Sequence, residues 1–116
     1  NVDEIDWGRL SFNPNAIHIM EKNLDYWDPF LDIWYGLSSN PNAISILEKN
    51  MDKVVWGQLS TNQNAIHILE KNMDKVIWGG LSANPNAIHM LETNLDKLNE
   101  YCWYWLSRNP NIFYEK

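Results

Sequence analysis

The stretch that decides the fold is residues 56–76, which read Trp56-Gly57-Gln58-Leu59-Ser60-Thr61-Asn62-Gln63-Asn64-Ala65-Ile66-His67-Ile68-Leu69-Glu70-Lys71-Asn72-Met73-Asp74-Lys75-Val76. The same phrase begins at Trp34 and at Trp78, each 22 residues away. It begins again at Trp7 and at Trp103, where the steps to the neighbouring tryptophans are 27 and 25 residues. Five occurrences of one phrase in 116 residues predict a tandem repeat protein.

Each unit, numbered here from its tryptophan as position 1, carries two helix-start signals. At positions 7 and 8 an Asn-Pro pair such as Asn40-Pro41 is typical of an N-cap followed by proline in the first turn. At position 19 an aspartate such as Asp52 can cap a second helix. We therefore predict helix A over residues 41–50 and helix B over residues 53–60, with a tight turn between them.

Helix A separates into an apolar and a polar face at 100° per residue. Ala43, Ile44 and Leu47 fall on one side, and Glu48 falls on the opposite side. Asn50, at position 17, lies inside the apolar arc. A polar group that faces a core must satisfy its hydrogen bonds locally, so we expect a left-handed C-terminal residue or a side chain bonded to turn backbone.

Helix B places Trp56 and Leu59 on one side, with Gly57 beside them. A small residue next to a tryptophan suggests that neighbouring helices approach closely there and that the indole covers the gap. We interpret the repeated tryptophan as a packing residue rather than as part of a ligand site.

Helices of this length are marginal alone, and one pair cannot bury both apolar faces. Stacking of successive units solves both problems. The sequence therefore predicts an all-α fold, a short α-solenoid of stacked 22-residue helix-turn-helix units, as a single domain over residues 1–116. The first and last units are atypical and are expected to act as caps. Five extra residues, including Pro29, lie between Asp25 and Trp34, and three lie between Asp96 and Trp103, where the insertion is expected to lengthen helix B.

Composition excludes several functional classes. The net charge of −6 argues against a nucleic-acid groove and against docking on an anionic membrane. Cys102 is the single cysteine, so a reducing compartment fits best. No apolar run approaches the roughly 20 residues of a transmembrane helix. We expect no cofactor and no small-molecule substrate.

The phrase Trp-Gly-x-Leu-Ser-x-Asn-Pro-Asn-Ala-Ile-x-Ile-Leu-Glu-Lys-Asn resembles the short tandem repeats of many hypothetical proteins of giant DNA viruses of the Mimivirus kind. The resemblance covers essentially the whole chain. It implies a viral or intracellular origin, in the host cytoplasm or the virion, and it supplies no catalytic residues to transfer. Gln63 in place of proline and Tyr35 in place of glycine depart from the pattern without threatening the fold.

Position 12 carries all the histidines of the chain. Its occupants are His18, Ser45, His67, His89 and Tyr114. The helical wheel places them on the polar face of helix A. Zinc ligands must converge on one ion at about 2 Å each, whereas stacked helices lie roughly 8–10 Å apart. We therefore predict an exposed polar row, with a pH-sensitive or partner-binding row as the alternative.

Two further positions vary between otherwise matching units. Position 3 holds Arg9, Gly36, Gln58, Gly80 and Trp105. Position 6 holds Phe12, Ser39, Thr61, Ala83 and Arg108. If one surface binds a partner, such variable positions should line it; the alternative is that nothing constrains them. The candidate partner-binding residues are His18, Ser45, His67, His89, Tyr114, Arg9, Gln58 and Trp105.

The recurring carboxylates, such as Glu48 and Glu70 beside their lysines, indicate charge pairs between neighbouring units rather than catalysis, which needs a pair only once. The sequence has no serine-histidine-aspartate arrangement with supporting context, no phosphate-binding glycine loop and no Cys/His metal spacing. We expect a non-enzymatic protein–protein interaction or scaffolding module. The alternative is a structural assembly protein, a virion or filament component that self-associates through its ends, where Trp27, Phe30, Trp105 and Tyr114 would be exposed.

Overall fold

The structure, a computed structural model, describes residues 4–27, 32–109 and 111. In these residues all regular secondary structure is helical, which confirms the all-α prediction. The α-helices are α1 (Trp7–Leu10), α2 (Ile17–Lys22), α3 (Leu24–Trp27), α4 (Asp32–Ser39), α5 (Ile44–Glu48), α6 (Trp56–Ser60), α7 (Ile66–Glu70), α8 (Trp78–Ser82), α9 (Ile88–Glu92) and α10 (Glu100–Leu106). Short 3₁₀ helices lie at Pro14–Ala16, Met51–Lys53, Met73–Lys75 and Leu95–Lys97.

Helix A of the second unit begins later than predicted. It is α5, from Ile44 to Glu48, and not residues 41–50. Asn40 does accept a hydrogen bond at its Oδ1 from the amide of Asn42, at 3.0 Å, and its carbonyl accepts one from the amide of Ala43, also at 3.0 Å. Those two bonds close a separate turn before the helix. The prediction that Asn-Pro opens helix A directly is therefore wrong.

Helix B is also shorter than predicted, and its predicted cap is wrong. It is α6, Trp56–Ser60, rather than residues 53–60, and Asp52 lies in the preceding 3₁₀ helix. The β-branched Val55 before α6 is extended, as such residues prefer. Its amide donates to the Oγ of Ser38, in the same unit, at 2.9 Å. Since α6 belongs to the third unit, a serine of one unit holds the start of helix B in the next.

The asparagine at position 17 satisfies its hydrogen bonds locally, as predicted. The Nδ2 of Asn50 donates to the carbonyl of Ile46 at 2.9 Å, one turn earlier in the same segment. The equivalent bond is made by Asn23, Asn72 and Asn94. The left-handed alternative is wrong, because the φ of Asn50 is −138°.

The core lies between the A and B helices of each unit and between successive units. Ala43, Leu47 and Leu59 are fully buried, and Ile46 is nearly so, which confirms the predicted apolar faces. Successive B helices contact one another in the order α1, α4, α6, α8 and α10, and α5, α7 and α9 contact the B helix that precedes them. The fold measures 53 × 24 × 21 Å along its principal axes.

The repeated tryptophan is buried at Trp7 and Trp34, half-buried at Trp56 and Trp78, and exposed at Trp103. A lysine later in the same unit lies over two of these rings: the Nζ of Lys53 lies 5.5 Å from the Trp34 ring centroid, and that of Lys75 lies 6.0 Å from the Trp56 ring centroid, which are cation–π distances. These contacts support the packing interpretation.

Gly57 does not make the predicted close approach. A β-carbon added there would meet nothing within 4 Å. Close approaches occur at Gly36 and Gly80, one position further along helix B, and at Gly79, at the same unit position as Gly57, where an added β-carbon would lie 2.8 Å from Cε2 of Tyr101.

A series of buried asparagines, here called the asparagine ladder, joins each unit to the one before it. In the third unit the Nδ2 of Asn62 donates to the carbonyls of Ser38, at 3.0 Å, and of Asn40, at 2.9 Å. Its Oδ1 accepts from the amide of Asn64 at 3.0 Å. The asparagine ladder consists of Asn40, Asn62, Asn84 and Asn109, which all make this set of three bonds.

A second, exposed row of asparagines at position 9 runs beside the asparagine ladder. The Nδ2 of Asn64 donates to the carbonyl of Pro41 in the preceding unit at 2.7 Å, and that of Asn86 donates to the carbonyl of Gln63 at 2.8 Å. The acceptor at position 8 is a backbone carbonyl. This explains why glutamine replaces proline there without loss of the contact.

The two irregular units differ in how much of them the structure describes. α10 has seven residues where α8 has five, so the predicted lengthening of helix B by the second insertion is confirmed. Pro29 and Phe30, in the first insertion, lie outside the described residues. None of the described helices combines the length and the apolar composition that crossing a bilayer requires.

Candidate functional site

The position-12 row lies on the outer side of the A helices. Positions 10 and 14 are buried in all four described units, and position 13 is buried in α5, α7 and α9 but exposed as Ile19 in α2, which leaves position 12 pointing away from the core. His18, Ser45, His67 and His89 are all exposed, as predicted. Tyr114 lies outside the described residues.

One residue of this row contacts a carboxylate of the neighbouring unit. The Nε2 of His67 lies 2.9 Å from the Oε2 of Glu48, and both side chains are about half exposed, at 53% and 50%. The partner of the carboxylate is a histidine and not a lysine, so the predicted charge pairing between units stays a prediction. Among the described residues no group of three or more histidine, cysteine or acidic side chains is arranged to hold a metal ion.

The position-3 candidates lie on the B helices in three different environments. Arg9 is exposed, and its amide donates to the Oδ1 of Asp6 at 3.1 Å. Gln58 is half-buried, and Trp105 is 37% exposed. Position 3 lies on the B helices and position 12 on the A helices, so none of these three residues shares a helix with the position-12 row.

α10 exposes a cluster of aromatic rings, here called the α10 aromatic face and formed by Tyr101, Tyr104 and Trp105. The Trp105 ring meets Tyr101 edge-on at a centroid distance of 6.4 Å and Tyr104 at 5.3 Å. The guanidinium carbon of Arg108 lies 3.8 Å from the Tyr104 ring centroid. Cys102 faces the core, so the aromatic rings occupy the outward side of the helix.

Sequence reasoning found only Trp105 of this cluster. Tyr101 lies in the insertion before Trp103, and Tyr104 stands at position 2, where three of the other four units have glycine. The repeat pattern therefore does not predict these two tyrosines. The available signal was the phrase Tyr101-Cys102-Trp103-Tyr104-Trp105, which holds four aromatic residues in five. Such a density on one short helix cannot be buried by a single neighbouring helix.

A shallow groove of about 280 Å³ lies between α2 and α5, and sequence reasoning did not identify it. Its lining residues are Glu21, Leu24, Ile46, Lys49 and Asn50. One acidic and one basic side chain flank an apolar floor, which would suit an apolar side chain of a partner more than a charged ligand.

The buried polar side chains of the described residues are serines and asparagines, and each makes a hydrogen bond to backbone. Amides and aliphatic hydroxyls do not titrate near neutral pH, so these groups hold backbone and do not act as general acids or bases.

No family model matches the chain, and no curated protein and no solved structure matches it either.

Proposed function

We propose that this chain is a short α-solenoid of stacked 22-residue helix-turn-helix units and that it serves as a non-enzymatic module that binds another protein. The architecture is supported by contacts that repeat from unit to unit. The asparagine ladder makes the same three bonds at four successive boundaries, and neighbouring B helices contact one another along the chain. Stacked units of this kind form one continuous core and leave an extended surface for binding.

The α10 aromatic face is the observation that carries the binding proposal. Tyr101, Tyr104 and Trp105 are 62%, 51% and 37% exposed. With roughly 200 Å² for each side chain, the three rings offer about 300 Å² of aromatic surface. Patches of that size on a soluble protein commonly mark interaction sites.

The chemistry of the face indicates a protein partner. Tyrosine, tryptophan and arginine are the residue types that most often dominate binding energy in protein interfaces. The Arg108 guanidinium, stacked on Tyr104, carries further N–H donors suited to a carboxylate or carbonyl of the partner. The net charge of −6 disfavours a nucleic acid in the same place.

The test is capture of partner proteins on the immobilised chain, followed by affinity measurement with each captured protein. Tyr104→Ala and Trp105→Ala should each weaken binding by about tenfold or more, as expected for aromatic residues at the centre of an interface. Tyr35→Ala is the matched control, because Tyr35 is an exposed tyrosine on α4 at the same unit position as Tyr104. Equal losses in all three variants, or no loss in the first two, would contradict this proposal.

The second candidate is self-association through the ends of the chain, and the exposure of Trp105 is what favours it. Light scattering over a concentration series separates the two functions. A mass that stays constant favours a partner of another kind, whereas growth with concentration favours assembly.

A further inference from the structure

The groove between α2 and α5, here called the α2–α5 groove, is lined by two charged side chains that have no partner in the described part of the chain. Glu21, from the first unit, and Lys49, from the second, both line it and are exposed. No ion pair joins them to each other or to another described residue. The apolar part of the lining is the exposed Leu24 and the buried Ile46. The groove therefore offers one free charge of each sign beside an apolar surface.

Glu21 has no partner because the second unit carries a serine at position 12. At the next boundary the equivalent carboxylate, that of Glu48, lies 2.9 Å from the Nε2 of His67, at position 12 of the third unit. The asparagine ladder makes equivalent bonds at both boundaries, so the units stack in the same way. Ser45 takes the place of the histidine at the first boundary, and its short side chain does not extend to the carboxylate.

The same combination is absent from the other two boundaries between described A helices. At the boundary of the second and third units, His67 contacts the carboxylate. At the boundary of the third and fourth units, Thr93 stands at position 16, so the equivalent of Lys49 carries no charge. Among the described A helices, only the first boundary therefore combines a free carboxylate with a free ammonium group.

The remaining lining residue indicates that the groove suits a peptide. The Nδ2 of Asn50 donates to the carbonyl of Ile46, and its Oδ1 accepts no hydrogen bond from the described residues. Such an oxygen suits a backbone N–H, which a peptide carries at every residue except proline. At about 280 Å³ the groove is smaller than the roughly 300–1,000 Å³ of pockets that enclose a whole small ligand. It fits one side chain of a larger partner.

We propose that the α2–α5 groove binds a segment of another protein in which an apolar side chain stands between a basic and an acidic one. The apolar side chain packs on Leu24 and Ile46. The basic side chain pairs with Glu21, and the acidic one pairs with Lys49. The site goes beyond the function proposed above, because it lies in the first and second units, whereas α10 belongs to the fifth.

The test uses synthetic pentapeptides in which arginine, leucine and glutamate alternate with serine, prepared in both orders. Side chains at alternate positions of an extended chain point to one side, so the three can enter the groove together. The intact protein is labelled at its leucine and isoleucine methyl groups for NMR. We expect saturable shifts at Leu24 and Ile46 with at least one order. Glutamine in place of both charged peptide residues should weaken binding about two- to tenfold, as expected for two exposed ion pairs.

Variants of the protein test the charges from the other side. Glu21→Gln should weaken binding of the peptide about two- to fivefold, the contribution of one exposed ion pair. Glu70→Gln, the same change at an exposed glutamate of the same unit position, is the matched control and should leave the affinity unchanged. Ser45→His should also weaken binding about two- to fivefold, because the imidazole would contact Glu21 as His67 contacts Glu48.

Several results would overturn the proposal. They are the absence of saturable shifts with either peptide order, equal affinity for the uncharged peptide, equal effects of Glu21→Gln and Glu70→Gln, and full affinity in Ser45→His. Displacement of the peptide by free leucine at similar concentration would assign the groove to a small zwitterion instead. Shifts at Leu24 and Ile46 that depend on protein concentration alone would assign it to a second copy of the chain.

The readout is confined to the first and second units. Its failure therefore leaves the binding of a partner at the α10 aromatic face untouched, and the failure of that binding leaves the α2–α5 groove untouched.

Discussion

Replacing one member of the asparagine ladder should destabilise the protein far more than replacing its exposed neighbour. Asn62 is 1% exposed and makes three hydrogen bonds, two from its Nδ2 to carbonyls of the preceding unit and one at its Oδ1 from the amide of Asn64. Asn62→Ala removes all three and leaves a small void. Asn64→Ala, two residues away, removes one exposed bond to the carbonyl of Pro41.

The magnitude follows from what each lost bond leaves behind. The carbonyl of Asn40 keeps its bond from the amide of Ala43, so that group remains partly satisfied. The carbonyl of Ser38 and the amide of Asn64 lose the Asn62 side chain as partner, and a buried backbone group without its partner costs about 1–3 kcal/mol. We therefore expect Asn62→Ala to lower the free energy of unfolding by about 3 kcal/mol, and Asn64→Ala by less than about 1 kcal/mol.

The assay is urea unfolding of the intact chain, followed by far-ultraviolet circular dichroism and by tryptophan fluorescence. With a slope of about 1–3 kcal/mol per molar urea, a loss of 3 kcal/mol moves the midpoint by about 1 M or more. Equal midpoints for Asn62→Ala and Asn64→Ala would refute the expectation that burial and the number of lost hydrogen bonds determine the loss of stability.

Two further predictions concern the glycines and the exposed contact between Glu48 and His67. Gly80→Ala should lower the free energy of unfolding by about 1–3 kcal/mol, because its β-carbon would lie 2.9 Å from the carbonyl oxygen of Gly57. Gly57→Ala, whose β-carbon would meet nothing within 4 Å, should raise the free energy of unfolding by up to about 1 kcal/mol, and thermal unfolding of the two variants checks the opposite signs. His67→Ser should change the free energy of unfolding by less than about 1 kcal/mol, since His67 and its partner Glu48 are both half exposed and serine already occupies position 12 as Ser45. A larger loss in the same thermal unfolding experiment would show that the position-12 row has a structural role.

The repeat and its apolar faces could be predicted because periodicity alone determines them. Ala43 and Leu47 are buried where a helical wheel places them, and Asn50 bonds to its own segment. Helix ends were less predictable. Local preference predicts caps at Asn-Pro and at Asp. The start of α6 is instead held by Ser38 from another unit, and no local sequence pattern contains that contact.

The role of Asn62 and its equivalents could be predicted only in part. Its Oδ1 bond to the following amide is a local capping bond, as sequence reasoning indicated. Its Nδ2 bonds depend on how one unit is translated onto the next, and the repeat length does not specify that translation. One signal was present in the sequence: asparagine is kept at position 7 even where Gln63 replaces the following proline.

The candidate site was predicted unevenly for a similar reason. The exposure of His67 and its row follows from the helical wheel, and the structure places it there. The α10 aromatic face arises where the chain departs from its own repeat, and a repeat pattern carries least information at such a place.

The asparagine ladder has a consequence for the conditions under which the protein holds together. Its donors and acceptors are amide and carbonyl groups, none of which gains or loses a proton between mildly acidic and mildly alkaline solution, and buried amide bonds are little screened by salt. Among the described residues, by contrast, no acidic, basic or histidine side chain is buried, and Glu48 and His67 are both half exposed to water. Changes in pH or salt can therefore alter the charge of the surface and the binding that depends on it, whereas the hydrogen bonds between neighbouring units stay the same.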